Sequence, residues 1–368
     1  MSFSINTSAL GPMLKKLGAA VTSKPTLPAH SSIRIRSSSP GSITFYVCSP
    51  LITVEGHLSC DVGEQIDLGT HAELFGKVVQ ALPKDAPVEF TMTPTSLSLE
   101  TSKSSFKVKT FSDAIFMPMR DYSNMPFTEI DFKAFIASLK RVAFCCDPEA
   151  TRDEYKAVCI NSDHFVATDG FCISVYPNRV LKIPGEILIP GRAVAVLQKL
   201  YDKSLGKGRL YCTDSELNLA CDGIFSSTRR QAGKFVGYHR VLPEGPCTKI
   251  TVDRVELVDA IDRVLIMSPP EGMKNVFIQL DVNSITMHAN NGKHGEAKET
   301  VSVGCDTRCE EICLSGKSLL DILKNYETDK LTLEYRGPEK AFVITDKDHI
   351  NVIQPVRRTV PRAAAGDR

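Results

Sequence analysis

Apolar residues along this chain keep two rhythms. A helical one runs through Ala193, Val194, Val196, Leu197 and Leu200, and again through Leu319, Leu320, Ile322 and Leu323, marking two amphipathic helices with one face turned to a core. An alternating, β-branched one runs through residues 42–47, 165–168 and 276–280, as expected of half-buried strands. Leu68-Gly69-Thr70 opens a helix that ends near Leu82. Ile189-Pro190-Gly191 and Leu314-Ser315-Gly316 open others that end near Tyr201 and Tyr326. These openings lie 121 and 125 residues apart, and segments starting at Phe3, Phe127 and Ile250, each a short strand leading into a helix, lie 124 and 123 apart.

So long a period predicts tandem domains, since solenoid repeats run only about 20–50 residues. The expected architecture is α+β: three like domains, each with two helices on one side of a sheet. Pro, Gly and Asn cluster near residues 119–124 and 243–246, which sets the boundaries at 1–122, 123–246 and 247–358. Residues 359–368, rich in Pro, Ala, Arg and Gly, read as a disordered tail. Gly11-Pro12 is expected to delay the first helix so that Pro12 falls in its first turn.

Composition changes the picture little. With 42% hydrophobic and 24% charged residues, and a net charge of +1, the chain reads as soluble and globular. No apolar run approaches the roughly 18–20 residues of a membrane span, and the start has neither a basic nor an apolar leader region, so the expected address is cytoplasmic, with no membrane partner. Twelve cysteines then read as reduced core residues. Cys305, Cys309 and Cys313 form a C-x3-C-x3-C run that fits no common zinc or iron–sulfur spacing, even with His288 or His294 as a fourth ligand, and no metal or cofactor is expected.

Charge distribution is more telling. Lys15, Lys16, Lys77, Lys133, Lys140, Arg141, Arg192, Lys199, Arg254, Arg263, Lys317 and Lys324 all fall in expected helices, interspersed with acids such as Glu73, Asp131 and Asp321. A solvated helix face explains this equally well in any one domain. Its threefold recurrence favours a phosphate-attracting surface.

Three segments carry a resemblance. Residues 24–28 (Lys-Pro-Thr-Leu-Pro), the Val166-Ala167-Thr168-Asp169-Gly170 turn, and Gly233-Lys234-Phe235 with residues 238–243 (Tyr-His-Arg-Val-Leu-Pro) are similar, in order and spacing, to motifs of the bacterial DNA polymerase III beta subunit, the β sliding clamp family. The resemblance extends over residues 1–358. It implies a ring-forming, non-enzymatic processivity factor. Two subunits would join head to tail around double-stranded DNA and dock the replicative polymerase, the clamp loader and repair proteins through short peptides.

Carried over by motif, the resemblance implies DNA contacts at Lys24 and Arg152, and the helix cations Lys15, Lys77, Lys140, Arg141, Arg192 and Lys199 join them. It implies a peptide groove walled by Tyr155, Thr168, Gly170, Phe171, Cys172, Ile173, Val236, Arg240, Val241, Pro355, Val356 and Arg357. It implies a dimer interface of Leu74, Val78, Phe106 and Val108 on one side and Leu265, Ile266, Glu296 and Glu299 on the other. Phe171-Cys172 stands where the family usually has His-Arg, and Gln354 where it has Met, so the groove should stay apolar but change shape.

An enzyme reading finds no support in the motifs. Asp169, with His164 nearby, is the tempting acid, but no nucleophile elbow, phosphate-cradling loop or metal-ligand spacing accompanies it. Asp169 reads better as the cap of a tight turn whose Gly170 supplies a permissive backbone. The different-class alternative is a monomeric clamp-like adaptor, of a plasmid or phage, that binds the same peptides without closing a ring.

Overall fold

The computed structural model describes residues 2–22, 25–39, 41–63, 65–111, 116, 122, 124–201, 206–269, 274–292 and 294–357. Lys24 and the 359–368 tail lie outside them. One order of elements occurs three times: a strand, a helix, four strands, a second helix, three strands. The first repeat comprises β1 (Ser2–Asn6), α1 (Thr7–Leu17), β2 (Ser32–Ser39), β3 (Ser42–Cys48), β4 (Ile52–Ser59), β5 (Ile66–His71), α2 (Ala72–Ala81), β6 (Pro87–Thr93), β7 (Ser96–Glu100) and β8 (Ser105–Phe111). The second comprises β9 (Thr128–Asp131), α3 (Phe132–Ala143), β10 (Ala157–Asn161), β11 (His164–Thr168), β12 (Cys172–Pro177), β13 (Glu186–Pro190), α4 (Gly191–Leu200), β14 (Lys207–Cys212), β15 (Glu216–Cys221) and β16 (Ile224–Arg229). The third comprises β17 (Thr248–Asp253), α5 (Arg254–Val264), β18 (Asn275–Asp281), β19 (Ser284–Asn290), β20 (Glu296–Gly304), β21 (Ile312–Ser315), α6 (Gly316–Lys324), β22 (Lys330–Tyr335), β23 (Phe342–Asp346) and β24 (His349–Ile353).

Each helix begins where a strand ends, and in four of the six the strand's last residue caps it through a side-chain oxygen. Asn6, Asp131, Asp253 and Ser315 accept, through a side-chain oxygen, from a backbone N–H of the first turn of α1, α3, α5 and α6. Asn6 also corrects the expectation for Pro12. The cap starts α1 at Thr7, so Pro12 sits inside the helix and not in its first turn. Thr7 reinforces that start, its hydroxyl donating to the Pro83 carbonyl and accepting from the Ala86 N–H. The lost backbone bond at Pro12 falls on the exposed side of α1.

The second helices of the later repeats end on the same anchor. The Tyr201 hydroxyl donates to the Leu219 carbonyl and meets Ser226 Oγ at 2.8 Å. The Tyr326 hydroxyl donates to the Ile344 carbonyl and accepts from Asn351 Nδ2 at 2.6 Å. In both, the carbonyl lies 18 residues on and the polar side chain 25.

Strands pair in two twelve-stranded antiparallel sheets, one in the order β1-β6-β7-β8-β5-β2-β3-β4-β16-β15-β14-β9 and the other β13-β10-β11-β12-β24-β23-β22-β17-β20-β19-β18-β21. Each repeat thus contributes two four-stranded groups: its first strand with its last three, and its middle four. In the first sheet, β4 joins β16 over Ile52↔Thr228 to Gly56↔Ile224. In the second, β12 joins β24 over Cys172↔Ile353 to Val175↔Ile350. Both joints therefore match the third strand of a middle group, which forms that group's edge, with the last strand of the next repeat's outer group. By compactness the chain divides into two units, residues 1–137 with 189–232, and residues 138–188 with 233–368.

Candidate functional site

Two strands inside the sheets, β8 and β20, are unpaired over most of one flank among the described residues. Residues 105–109 of β8 pair with β7, and only Thr110 and Phe111 reach across to β5. Residues 296–302 of β20 pair with β19, and only Val303 and Gly304 reach β17. On β8, Val108 is buried, Phe106 half-buried, and Lys107 and Lys109 point to solvent. In the same unit, Leu74 on α2 is 50% exposed and Val78 half-buried.

On β20, Glu296 is exposed. Glu299 lies on the helix side, where Arg263 of α5 grips it through two hydrogen bonds of 2.9 and 3.1 Å. That bonding lowers the Glu299 carboxyl below its ordinary range and raises Arg263. Past α5, Leu265 is buried and packs where any side chain on Gly316 would stand, whereas Ile266 is 76% exposed. Leu265, Ile266 and Leu320 line a mainly apolar cleft of about 590 Å³, with Asp262, Lys274, Ser315 and Lys317 around it.

A second concentration of features surrounds the turn after β11. Asp169 Oδ1 accepts from the Phe171 and Cys172 N–H groups at 2.7 and 2.6 Å, and Gly170 has φ +93°. The Asx-type turn expected from the sequence is therefore present, and the carboxylate is occupied by its own backbone. Thr168 Oγ1 donates to the Cys172 carbonyl and accepts from the Gly170 N–H. The Tyr155 ring backs onto Gly170, so a Cβ there would stand 3.0 Å from Cε2.

The segment after β24 is held against this turn, Gln354 N donating to the Phe171 carbonyl and Val356 N to that of Cys313. Phe235 and Tyr238 cover Ile173, Val175 and Val352 on the same face of the sheet, with Val236 packed beside them. Phe171, Arg240, Val241 and Arg357 stay exposed, and Tyr155, Pro355 and Val356 are half-buried. Thr168, Cys172 and Ile173 are buried, so these three shape the wall from behind. Burial pushes the Cys172 thiol up to about 12.

The expected cations separate into two kinds. Lys15, Lys140, Arg192 and Lys199 are exposed on α1, α3 and α4, and Lys77 is exposed but bonded to Glu73 at 2.5 Å. Arg141 is engaged within the fold: its guanidinium donates to the Asn325 carbonyl and pairs with Glu327 at 3.3 Å, while Asn325 Nδ2 donates back to the Arg141 carbonyl. Arg152 lies over the Tyr155 ring at 5.7 Å and donates to its hydroxyl.

Sequence reasoning missed the polar network behind Arg141. Ser174 Oγ donates to the Arg141 carbonyl and contacts His349 Nε2 at 3.0 Å, and His349 adjoins Asn351 and Tyr326. Burial, with Arg141 nearby, pushes His349 down to about 3. It missed too the pairing of His164 Nδ1 with the Tyr238 hydroxyl at 2.9 Å. The repeated Tyr at each helix end was the available signal for the first. The second joins residues 74 apart and had none.

Cys305 and Cys313 are buried, and Cys305 Sγ donates to the Thr307 carbonyl. His288 is bonded to Glu311 at 2.7 Å. Among the described residues, no group of three or more His, Cys, Asp or Glu is placed to hold a metal, and no helix is long and apolar enough to cross a membrane.

Comparison with known proteins agrees along the whole chain. Residues 1–126 match the family model for the DNA polymerase III beta subunit N-terminal domain, and residues 239–357 that for its C-terminal domain. The beta sliding clamp of Chlamydia pneumoniae is 22% identical over 97% of this chain and 99% of its own, and that of Caulobacter vibrioides 23% identical over 94% and 96%. The sliding clamp of Pseudomonas aeruginosa superposes with a TM-score of 0.88 at 20% identity, covering 97% of this chain and all of that one. The Bacillus subtilis clamp also gives 0.88, at 19% identity and 97% and 99% coverage. The chain belongs to the DNA polymerase III beta subunit family, the β sliding clamps.

Proposed function

We propose that this sliding clamp closes by pairing β8 of one copy with β20 of another, head to tail, so that two copies encircle duplex DNA. One observation carries the reading. Of the three joints the repeat pattern defines, the chain makes β4·β16 and β12·β24 itself and, among the described residues, leaves 296–302 of β20 and 105–109 of β8 unpaired on one flank. A heterologous contact of that kind generates a ring when its rotation closes. The repeats run, on this reading, over 1–122, 123–246 and 247–358.

The two joints made within the chain also give the register of the third. The turn bonds Ser49 N→Ile52 O, Asp169 N→Cys172 O and Asn291 N→Gly295 O make Ile52, Cys172 and Gly295 equivalent. The hairpin pairs Leu97↔Val108, Leu217↔Thr228 and Phe342↔Ile353 make Val108, Thr228 and Ile353 equivalent. Since Ile52 faces Thr228 and Cys172 faces Ile353, Val108 should face Gly295. Phe106 then falls opposite Ala297 and Lys107 opposite Glu296, an apolar pair on one face and an opposite-charge pair on the other. Leu74 and Val78 would meet Leu265 and Ile266.

In the ring, the exposed cations Lys15, Lys140 and Lys199 attract the phosphate backbone without base readout, which suits a protein that must slide. Lys24 joins them by motif. Arg192, Lys77, Arg141 and Arg152, each already engaged with a neighbour, contribute less. The mechanism is tethering and not catalysis: topological linkage holds a polymerase, docked by a peptide in the groove behind Phe171, at high effective concentration. Loader and repair proteins would use the same groove.

Light scattering over a dilution series tests closure. A mass near twice 40.4 kDa that persists to nanomolar concentration is expected. A monomer throughout would sink ring closure and leave the adaptor reading.

A further inference from the structure

We propose that Cys305 and Cys309 are a thiol-modification site, a pair that forms a reversible disulfide and staples the connection from β20 to β21. The two thiols converge on one acceptor. Cys305 Sγ lies 3.1 Å from the Thr307 carbonyl oxygen, and Cys309 Sγ 4.0 Å from the same atom. Both backbones are anchored to the β18–β19 hairpin: Asn283 N donates to the Cys305 carbonyl, Cys309 N to that of Leu280, and Gln279 Nε2 to that of Cys309. Tied in this way, each sulfur is presented to the other at high effective concentration. Only residues 306–308, in a segment with neither helix nor strand, have to adjust for the sulfurs to meet. Cys305 follows Gly304, the last residue of β20, so the bond fixes the end of that strand.

Accessibility gives the two sulfurs different parts. Cys309 is half-buried and can be reached by a solute, whereas Cys305 is buried and resolves the adduct. A small disulfide such as oxidised glutathione supplies the oxidising equivalents. The Cys309 thiolate attacks one of its sulfurs, the S–S bond breaks, and one glutathione leaves as thiolate. The Cys305 thiolate then attacks Cys309 Sγ and expels the second glutathione. The protons given up by the two protein thiols balance those taken up by the two glutathione thiolates, so one disulfide is made and one reduced. Burial raises the Cys309 thiol, against a hydrogen bond with the Thr248 side chain that lowers it, and the exchange therefore quickens as pH rises.

The full chain carrying Cys212→Ser, which removes the exposed thiol, is incubated with oxidised glutathione, alkylated with iodoacetamide in denaturant and digested with trypsin without reduction. Trypsin cuts after Arg308, between the two cysteines, so the peptides that hold Cys305 and Cys309 stay joined only through the bond. Joined peptides that separate on reduction are expected. Cys309→Ser should abolish the joined species, and Cys305→Ser should leave one glutathione on Cys309, since nothing then expels it. Glutathione that persists on Cys309 while Cys305 is present would overturn the proposal. So would two alkylated thiols after oxidation, or joined peptides that survive Cys309→Ser and so run through Cys313.

Discussion

The joints that the chain makes within itself and the flanks it leaves open follow one pairing rule but are dressed differently. Three residues past the cap of the second helix stands Ala193 in α4, wholly buried, but Leu74 in α2, half exposed. Two residues past the first helix stands Ala19 after α1, but Ile266 after α5, three-quarters exposed. The joint β12·β24 is also fastened by a buried polar contact across it, Ser174 Oγ of the second repeat to His349 Nε2 of the third at 3.0 Å. The open flanks offer large apolar side chains and complementary charge instead. A permanent joint can be fixed by hydrogen bonds buried once and for all. The joint proposed between two copies would instead rest on apolar contact and rim charges, which water can replace.

The contrast can be broken most sharply at Ile266. Ile266→Asp, alone or with Leu74→Asp, should convert the dimer to a 40.4 kDa monomer at micromolar concentration, because it places a charge where apolar contact is required. Light scattering with an unchanged circular dichroism spectrum checks this. A stable dimer would show that closure does not use this surface.

A smaller effect separates the two joints made within the chain. His349 lies beside β12·β24, whereas Ile224 occupies the matching position of β4·β16. Folding holds His349 near 3, below its free value, so the unfolded chain takes up the proton first. Stability is therefore full above about pH 6.5 and falls as pH drops from there toward 3, by at most ~1.4 kcal/mol per pH unit for this one group. Urea melts should show the unit of residues 138–188 and 233–368 weakening first in acid, and His349→Gln should flatten that dependence.

The smallest effect belongs to the rim. Lys107→Glu should weaken the dimer by about 0.2–1 kcal/mol, and adding Glu296→Lys should restore it, since opposite charges facing across strands contribute at that scale. Analytical ultracentrifugation at two salt concentrations reads the cycle. Absence of rescue would show that the derived register is wrong while leaving closure intact.

Much of this was legible in the sequence because it is local. Helical and alternating patterns located the six helices and the faces of two of them, and the Asp169 turn followed from four adjacent residues. The joints were not legible, because β4·β16 and β12·β24 connect residues about 170–180 apart and depend on which edge remains free. Pro12 misled because a propensity rule was applied where Asn6, a stronger local signal, decides the helix start. Arg141 was grouped with the surface cations because nothing near it in the chain announces Asn325, its partner 184 residues on.

The interleaving of the two compact units has a consequence for biosynthesis. Residues 138–188 are made before any of their partners beyond 233, while the first unit is still waiting for 189–232. A chain emerging from the ribosome must therefore carry β10, β11 and β12 with the last of these lacking its neighbour, until β24 arrives near the very end. The second unit can close only after almost the entire message has been read. Truncations late in the coding sequence should then behave as folding lesions in the middle of the protein, and not as the loss of a terminal appendage.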